Sequence, residues 1–264
     1  MDLEPIGRPR VAFFGGSFDP PHLGHLEVAR AAQAALGLDT VLFAPVGEQP
    51  LKPHGSTASF AHRLAMTRLA IAGDPAFAVS LADAPKPSGA PNFTFDTLLA
   101  LRAQLPPDGV LFCLMGADAF ALLRRWHRAA EIPFVAPLIV ASRPGEQLDD
   151  LKPFLPDGLT MVCQGLSPDI VQTQDTRALA PEVRSSSDSQ IDLRRHILRN
   201  PSGHQSPFYL LPGLDIEISA SQIRGQLRNH APVDSDTQTP LPAQLPATVS
   251  EYIRAHGLYG MSPD

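Results

Sequence analysis

The chain has 264 residues, 44% of them hydrophobic and 18% charged, and carries a formal net charge of −6 at pH 7. That composition belongs to an ordinary globular protein with a sizeable core; it speaks against wholesale disorder and against the broad basic surface that nucleic acid or an anionic membrane attracts. Any anion site must therefore be local.

The length suits one α/β domain better than two small ones. Cys113 and Cys163 each lie in an apolar run, so buried free thiols in a reducing compartment are expected rather than a disulfide framework or a zinc cluster. The start, "MDLEPIGRPRVAFF", has acidic residues and prolines where a secretory signal needs a basic start and an apolar core. With no run near the roughly 18 apolar residues of a membrane span, a cytoplasmic protein with no membrane partner is expected.

Residues 10–14, "RVAFF", read as a buried strand closed by Gly15-Gly16. A helix follows from Leu23 to about Leu36, stopped by Gly37, and "TVLFAPV" (40–46) is a second buried strand. Further on come a helix over 59–73 capped by Ser59, a strand over 77–83, a helix over 93–105 ended by Pro106-Pro107, and a strand over 109–116. A helix over 118–130 and a strand over 134–143 continue the alternation. Residues 168–207 break it as a polar insertion, in which only 191–200 has helical spacing. A strand near 208–218, a short helix over 219–229, a loop over 231–247 and an amphipathic helix over 245–259 close the chain. Alternating buried strands and helices predict a doubly wound parallel sheet, α/β in class, with a small C-terminal helical part.

The first strand–helix junction carries the chemistry. "FFGGSFDPPHLGHLEVARAA" (13–32) sets two glycines and then H-x-G-H at the opening of a helix. A helix start offers unpaired N–H groups and partial positive charge, and the glycines let an anion approach the backbone. His22 and His25, three residues apart, share one helical face, so both imidazoles can reach one phosphate. Neither G-x-x-x-x-G-K-[ST] nor G-x-G-x-x-G is present. A GG-x-x-x-P loop alone is an ordinary turn; the conjunction with H-x-G-H is what points to a nucleotide.

"GGSFDPPHLGH" resembles the (H/T)-x-G-H signature of the nucleotidylyltransferase superfamily, in the form carried by the bacterial nicotinate-nucleotide adenylyltransferase family. "NFTFDTLLAL" (92–101) is similar to that family's YT-x-DTL segment, "LMGADAFALLRRWHRAAEI" (114–132) to its MGAD…W-H/Y-R segment, and "VASRPG" (140–145) to its strand ending in RPG. "ISASQIR" (218–224) is similar to its ISST-x-IR element and "LPATVSEYIRAHGLY" (245–259) to its last helix. These cover most of the chain in the family's order.

The resemblance implies a Rossmann-like fold and attack by the 5′-phosphate of nicotinate mononucleotide on the α-phosphorus of ATP, giving deamido-NAD and pyrophosphate. Catalysis is then positioning and charge stabilisation. Gly15, Gly16 and Ser17 would hold phosphate, and His22 and His25 would bind the ATP phosphates, with His25 at the transferred α-phosphate. Losing such a donor typically costs on the order of 3–4 kcal/mol in the barrier. Gly116 and Asp118 would face the ATP ribose or adenine, while Ser221 and Arg224 would grip the β- and γ-phosphates. Ser219 and Gln222 also have the spacing of a capping box. Trp126, His127 and Thr94 would recognise the nicotinate ring and its carboxylate, although a lone tryptophan in an amphipathic helix is more often core.

The resemblance departs at "EQPLKPHG" (48–55), where the family carries P-P-H-K/R. Lys52 matches the basic position as a ligand of the mononucleotide phosphate, Leu51 replaces the histidine, and His54 is a weaker substitute. Mg2+ would arrive with ATP, since no carboxylate cluster suggests a protein metal cage. The resemblance leaves a homo-oligomer open. Nicotinamide mononucleotide or phosphopantetheine as acceptor, and a nucleotide-binding regulator without catalysis, are the alternatives.

Overall fold

The computed structural model describes residues 8–51, 55–142, 151–163, 193–211, 219–229 and 242–261. Its elements run β1 (Arg10–Gly16), α1 (Leu23–Leu36), β2 (Thr40–Pro45), α2 (Phe60–Ile71), β3 (Phe77–Val79), α3 (Thr94–Gln104), β4 (Val110–Gly116), α4 (Ala117–Ala121), α5 (Ile132–Val135) and β5 (Leu138–Ala141). Then follow β6 (Thr160–Cys163), β7 (Arg194–Arg199), β8 (Gln205–Leu211), α6 (Ala220–Asn229) and α7 (Ala247–Ala255). The described strands hydrogen-bond in the order β3-β2-β1-β4-β5-β8-β7-β6. Pairs β1–β4, β4–β5 and β5–β8 are parallel, as buried apolar strands joined through helices require. The last three strands, β8, β7 and β6, are antiparallel neighbours, which makes the sheet mixed. No described helix is long and apolar enough to cross a membrane.

Two compact units divide the chain: residues 1–14, 29–41 and 93–215 form one, and residues 15–28, 42–92 and 216–264 the other. In the first, the core lies on β4, β5 and β8, where Leu111, Leu114, Ile139, Val140, Phe208 and Leu210 are almost fully buried. Each such side chain contributes about 1.5–3 kcal/mol. Cys113 is buried in this core. In the second unit, Met66 of α2 packs with Ile223 and Leu227 of α6 and with Val249 and Ile253 of α7.

Four expectations are corrected here. The described part of the segment 191–200 is not helical: Arg194–Arg199 is strand β7, paired in register with β8. Pairing with β8 decides this, through a tight turn in which the Gly203 N–H (φ +84°) donates to the Asn200 carbonyl and the His204 N–H to the Asn200 side chain. The remainder of the expected insertion, up to residue 192, lies outside the described residues. Residues 118–130 are not one helix either: α4 ends at Ala121, a 3-10 turn spans Leu123–Arg125, Trp126 is extended (ψ 151°) and Arg128 is left-handed (φ +53°). The Arg128 guanidinium stacks 3.8 Å from the centre of the Phe95 ring and bonds both Glu131 oxygens, so tertiary partners hold a conformation that local propensity does not favour. The strand expected over 134–143 begins only at Leu138, because Pro133 opens α5 and Pro137 has no N–H for a central strand. The strand expected over 77–83 stops at Val79; there the Ser80 hydroxyl accepts the Ala82 N–H and turns the chain.

Candidate active site

In the second unit, β1 ends at Gly16 and the chain passes through Ser17, Phe18 and Asp19 into α1. A Cβ on Gly16 would lie 3.2–3.4 Å from three atoms of the Phe18 ring. Glycine therefore leaves room for the Phe18 ring beside the backbone, where a larger residue would press on it. Phe18 is itself left-handed (φ +47°) and buried, and its ring meets His25 edge-on at 4.9 Å.

His22 and His25 are brought together as the spacing predicts. Their rings stack with centroids 3.7 Å apart and planes 30° from parallel. The His22 backbone N–H donates to Nδ1 of His25 at 3.2 Å, so the neutral His25 ring carries its proton on Nε2. Burial pushes the His22 pKa down to about 4, and burial with the neighbouring His22 holds that of His25 well below its ordinary value. Nδ1 of His22 is buried and has no hydrogen-bond partner among the described residues. An anion would reverse the balance, since an opposite charge favours the imidazolium.

Two of the helix-start N–H groups that sequence reasoning offered to a phosphate are already used: Leu23 N–H donates to the Gln244 carbonyl at 2.8 Å and His25 N–H to the His22 carbonyl at 2.9 Å. That shifts the weight of anion recognition to the side chains. Ser17 accepts from the Gln49 side chain at 3.0 Å, and the Gly16 carbonyl takes the Val46 N–H.

Residues that sequence reasoning left without a role hold this loop. Asp19 is buried and its carboxylate accepts from Thr57 N–H (2.6 Å), Ala58 N–H (3.0 Å) and the Tyr259 hydroxyl (2.7 Å). Arg63, almost wholly buried, donates to the carbonyls of Ala58 (3.2 Å), Ser17 (2.7 Å) and Val46 (2.8 Å). The loop and the lead-in to α2 thus close on one guanidinium. Arg224 donates to the Asp19 carbonyl at 2.6 Å and to the Ser221 hydroxyl at 3.1 Å, which couples the two residues that the ISST-like element singled out. The Gln222 N–H donates to Ser219 at 3.3 Å, one half of the expected capping box. Asp19 lies in the "FDPPH" run and Tyr259 ends the family-like segment 245–259, whereas Arg63 has no local signal.

In the first unit, Gly116 ends β4 and caps α4, with Asp118 exposed on its first turn. Thr94 opens α3, and the Phe93 ring just before it packs on His127 at 4.6 Å. Trp126 is half-buried beside the exposed His127. The fold therefore draws the "NFTFDTLL" and "RWHR" segments together at Phe93 and His127. Lys52 and His54 lie outside the described residues. Among the described residues no group of three or more His, Cys, Asp or Glu is set to hold a metal ion.

A family model for cytidylyltransferase-like proteins matches residues 13–226. A probable nicotinate-nucleotide adenylyltransferase of Trichlorobacter lovleyi is 33% identical over 250 residues, 95% of this chain and 99% of that one. One from Sodalis glossinidius is 33% identical over 258 residues, 96% and 98% of the two chains. Among solved structures, Plasmodium falciparum nicotinic acid mononucleotide adenylyltransferase complexed with NaAD superposes with a TM-score of 0.61 at 15% identity, covering 97% of this chain and 99% of that one. At that identity the likeness speaks for the fold.

Proposed function

The chain belongs to the cytidylyltransferase-like family and, within it, to the nicotinate-nucleotide adenylyltransferases, and on that footing we propose how its residues divide the work. The enzyme transfers the adenylyl group of ATP to nicotinate mononucleotide, in NAD biosynthesis. An oxygen of the acceptor 5′-phosphate bonds to the α-phosphorus, the bond from that phosphorus to the bridging oxygen breaks, and pyrophosphate leaves with the electron pair.

The stacked pair His22–His25 carries the assignment of the phosphate site. His25, its Nδ1 occupied by backbone, donates from Nε2 to the α-phosphoryl oxygens, where negative charge gathers in the transition state. His22, buried and neutral without an anion, gains its proton when the triphosphate binds. Gly15, Gly16 and Ser17 let the phosphate lie against backbone, and Ser221 with Arg224 takes the β- and γ-phosphates; their mutual hydrogen bond supports a shared role. Gly116 and Asp118 take the adenosine. Thr94, Trp126 and His127 take the nicotinate, with Lys52 on its phosphate.

Mg2+ is proposed to travel with the nucleotide and to neutralise triphosphate charge. Asp19, the carboxylate in the histidine loop, is committed to Thr57, Ala58 and Tyr259, so no protein-held ion is assigned a step. A cytoplasmic setting, where ATP is plentiful, belongs to the same proposal. Pyrophosphate release from ATP with nicotinate mononucleotide, nicotinamide mononucleotide or phosphopantetheine tests it: a clear preference for the first is expected, and release with none would reject it.

A further inference from the structure

The loop that carries His22 is fastened on both sides by the C-terminal part of the chain. Before the histidine, Asp19 accepts the Tyr259 hydroxyl at 2.7 Å across 240 residues of sequence. After it, the Leu23 N–H donates to the Gln244 carbonyl at 2.8 Å. His22 thus lies between two ties to one segment, just before α1 opens at Leu23, and its stacked partner His25 follows in the first turn of that helix.

Tyr259 reaches Asp19 from an unfavourable backbone. It is left-handed (φ +60°, ψ 26°) between Gly257 (φ +57°) and Gly260 (φ +89°), a conformation that a bulky L-residue rarely adopts. Its glycine neighbours meet the same requirement at no steric cost. What a tyrosine adds is a side chain buried in one hydrophobic cluster with Ile223 and Val249 and a hydroxyl that ends on a buried carboxylate. Arg224 stands 4.0 Å from the other Asp19 oxygen and bonds the Asp19 carbonyl. The loop's one carboxylate is therefore held from α6, from the lead-in to α2 and from the chain's end together.

We propose that Tyr259 is a positioning residue for adenylyl transfer, its hydroxyl fixing Asp19 and through it the His22–His25 pair against the triphosphate. The proposal rests on the adenylyltransferase reading above. Burial, with the Asp19 carboxylate beside it, drives the Tyr259 phenol well above its ordinary range, so the hydroxyl stays a donor at every working pH and the bond is not a titrating switch. The Asp19 oxygens have other donors, so losing this one loosens the loop without leaving a bare buried charge.

The test is Tyr259→Phe in the full chain, which keeps the ring and removes one oxygen. ATP affinity is read by calorimetry and kinetics by pyrophosphate release at varied ATP and varied acceptor. A charge-assisted hydrogen bond predicts about a tenfold loss in kcat/KM for ATP. KM for nicotinate mononucleotide should stay within about twofold, and the deficit should be constant across the pH range of activity. In an Asp19→Asn background the same substitution should do far less, because the partner is already altered. A lower Tm with unchanged ATP affinity and unchanged turnover would make Tyr259 merely structural and overturn the proposal, whether or not Asp19→Asn folds. Wild-type protein that binds ATP but releases no pyrophosphate with any acceptor would reject the adenylyltransferase reading itself, and the proposal with it.

Discussion

His22 and His25 lie ring on ring, 3.7 Å apart, with the backbone N–H of the first bonded to Nδ1 of the second. One residue supplies backbone to lock its neighbour's tautomer, so the pair is a unit with a defined donor before any ligand arrives. Preorganisation of that kind is where electrostatic catalysis gains most, because no reorientation is needed as charge develops.

Replacing His25 by alanine should lower kcat by about 100- to 1000-fold, the usual effect of losing a donor aimed at the transition state. Steady-state kinetics and thermal unfolding separate the two roles. Turnover should collapse with only a modest fall in Tm; a large loss of stability with normal turnover per folded molecule would assign the ring to packing.

The histidine pair also sets a pH dependence. His22 titrates at about 4 in the folded chain and at about 6.5 when unfolded. Between those values the unfolded state binds more protons, so stability is full above pH 6.5 and is lost as the pH falls towards 4. For His22 alone the loss is about 3 kcal/mol. Saturating ATP should shrink the acid-side loss, since phosphate favours the protonated ring. Tm against pH, with and without nucleotide, checks the sign: a ligand-free protein that grows more stable on acidification through this window would contradict it.

Arg63 should resist even a conservative change. Lysine keeps the charge, but its compact ammonium cannot span the Ser17, Val46 and Ala58 carbonyls that the guanidinium fork joins. Carbonyls left unsatisfied in a buried site cost about 1–3 kcal/mol each. Arg63→Lys is expected to lower Tm by several degrees and raise KM for ATP, while KM for nicotinate mononucleotide stays near its wild-type value.

Trp126→Ala should act on the other substrate. The ring is half-buried beside His127, which packs on Phe93, and its loss is expected to raise the acceptor KM by about tenfold with a smaller change in kcat. Equal effects on the ATP and acceptor constants would remove Trp126 from the acceptor side.

What was legible in the sequence was local. The run 13–32 states its own strand, glycine turn and helix start, and α1 spans Leu23–Leu36 as its apolar spacing predicts. Helix 118–130 was misread because neither glycine nor proline marks the break; Arg128 turns left-handed only where Phe95 and Glu131 receive it. Strand β7 was misread because the apolar residues of 191–200 also suit a helix, and pairing with β8 decides between them. Asp19, Arg63 and Tyr259 went unassigned for a related reason. Their partners lie up to 240 residues away, and no periodicity encodes a hydrogen bond of that span.

The most direct test of the account is a crystal structure with a non-hydrolysable ATP analogue bound. The account predicts Nε2 of His25 within hydrogen-bond distance of an α-phosphoryl oxygen, with the His22 ring against the same triphosphate and the His22 N–H still on Nδ1 of His25. A triphosphate bound away from both rings, or reached only by backbone N–H groups, would contradict it.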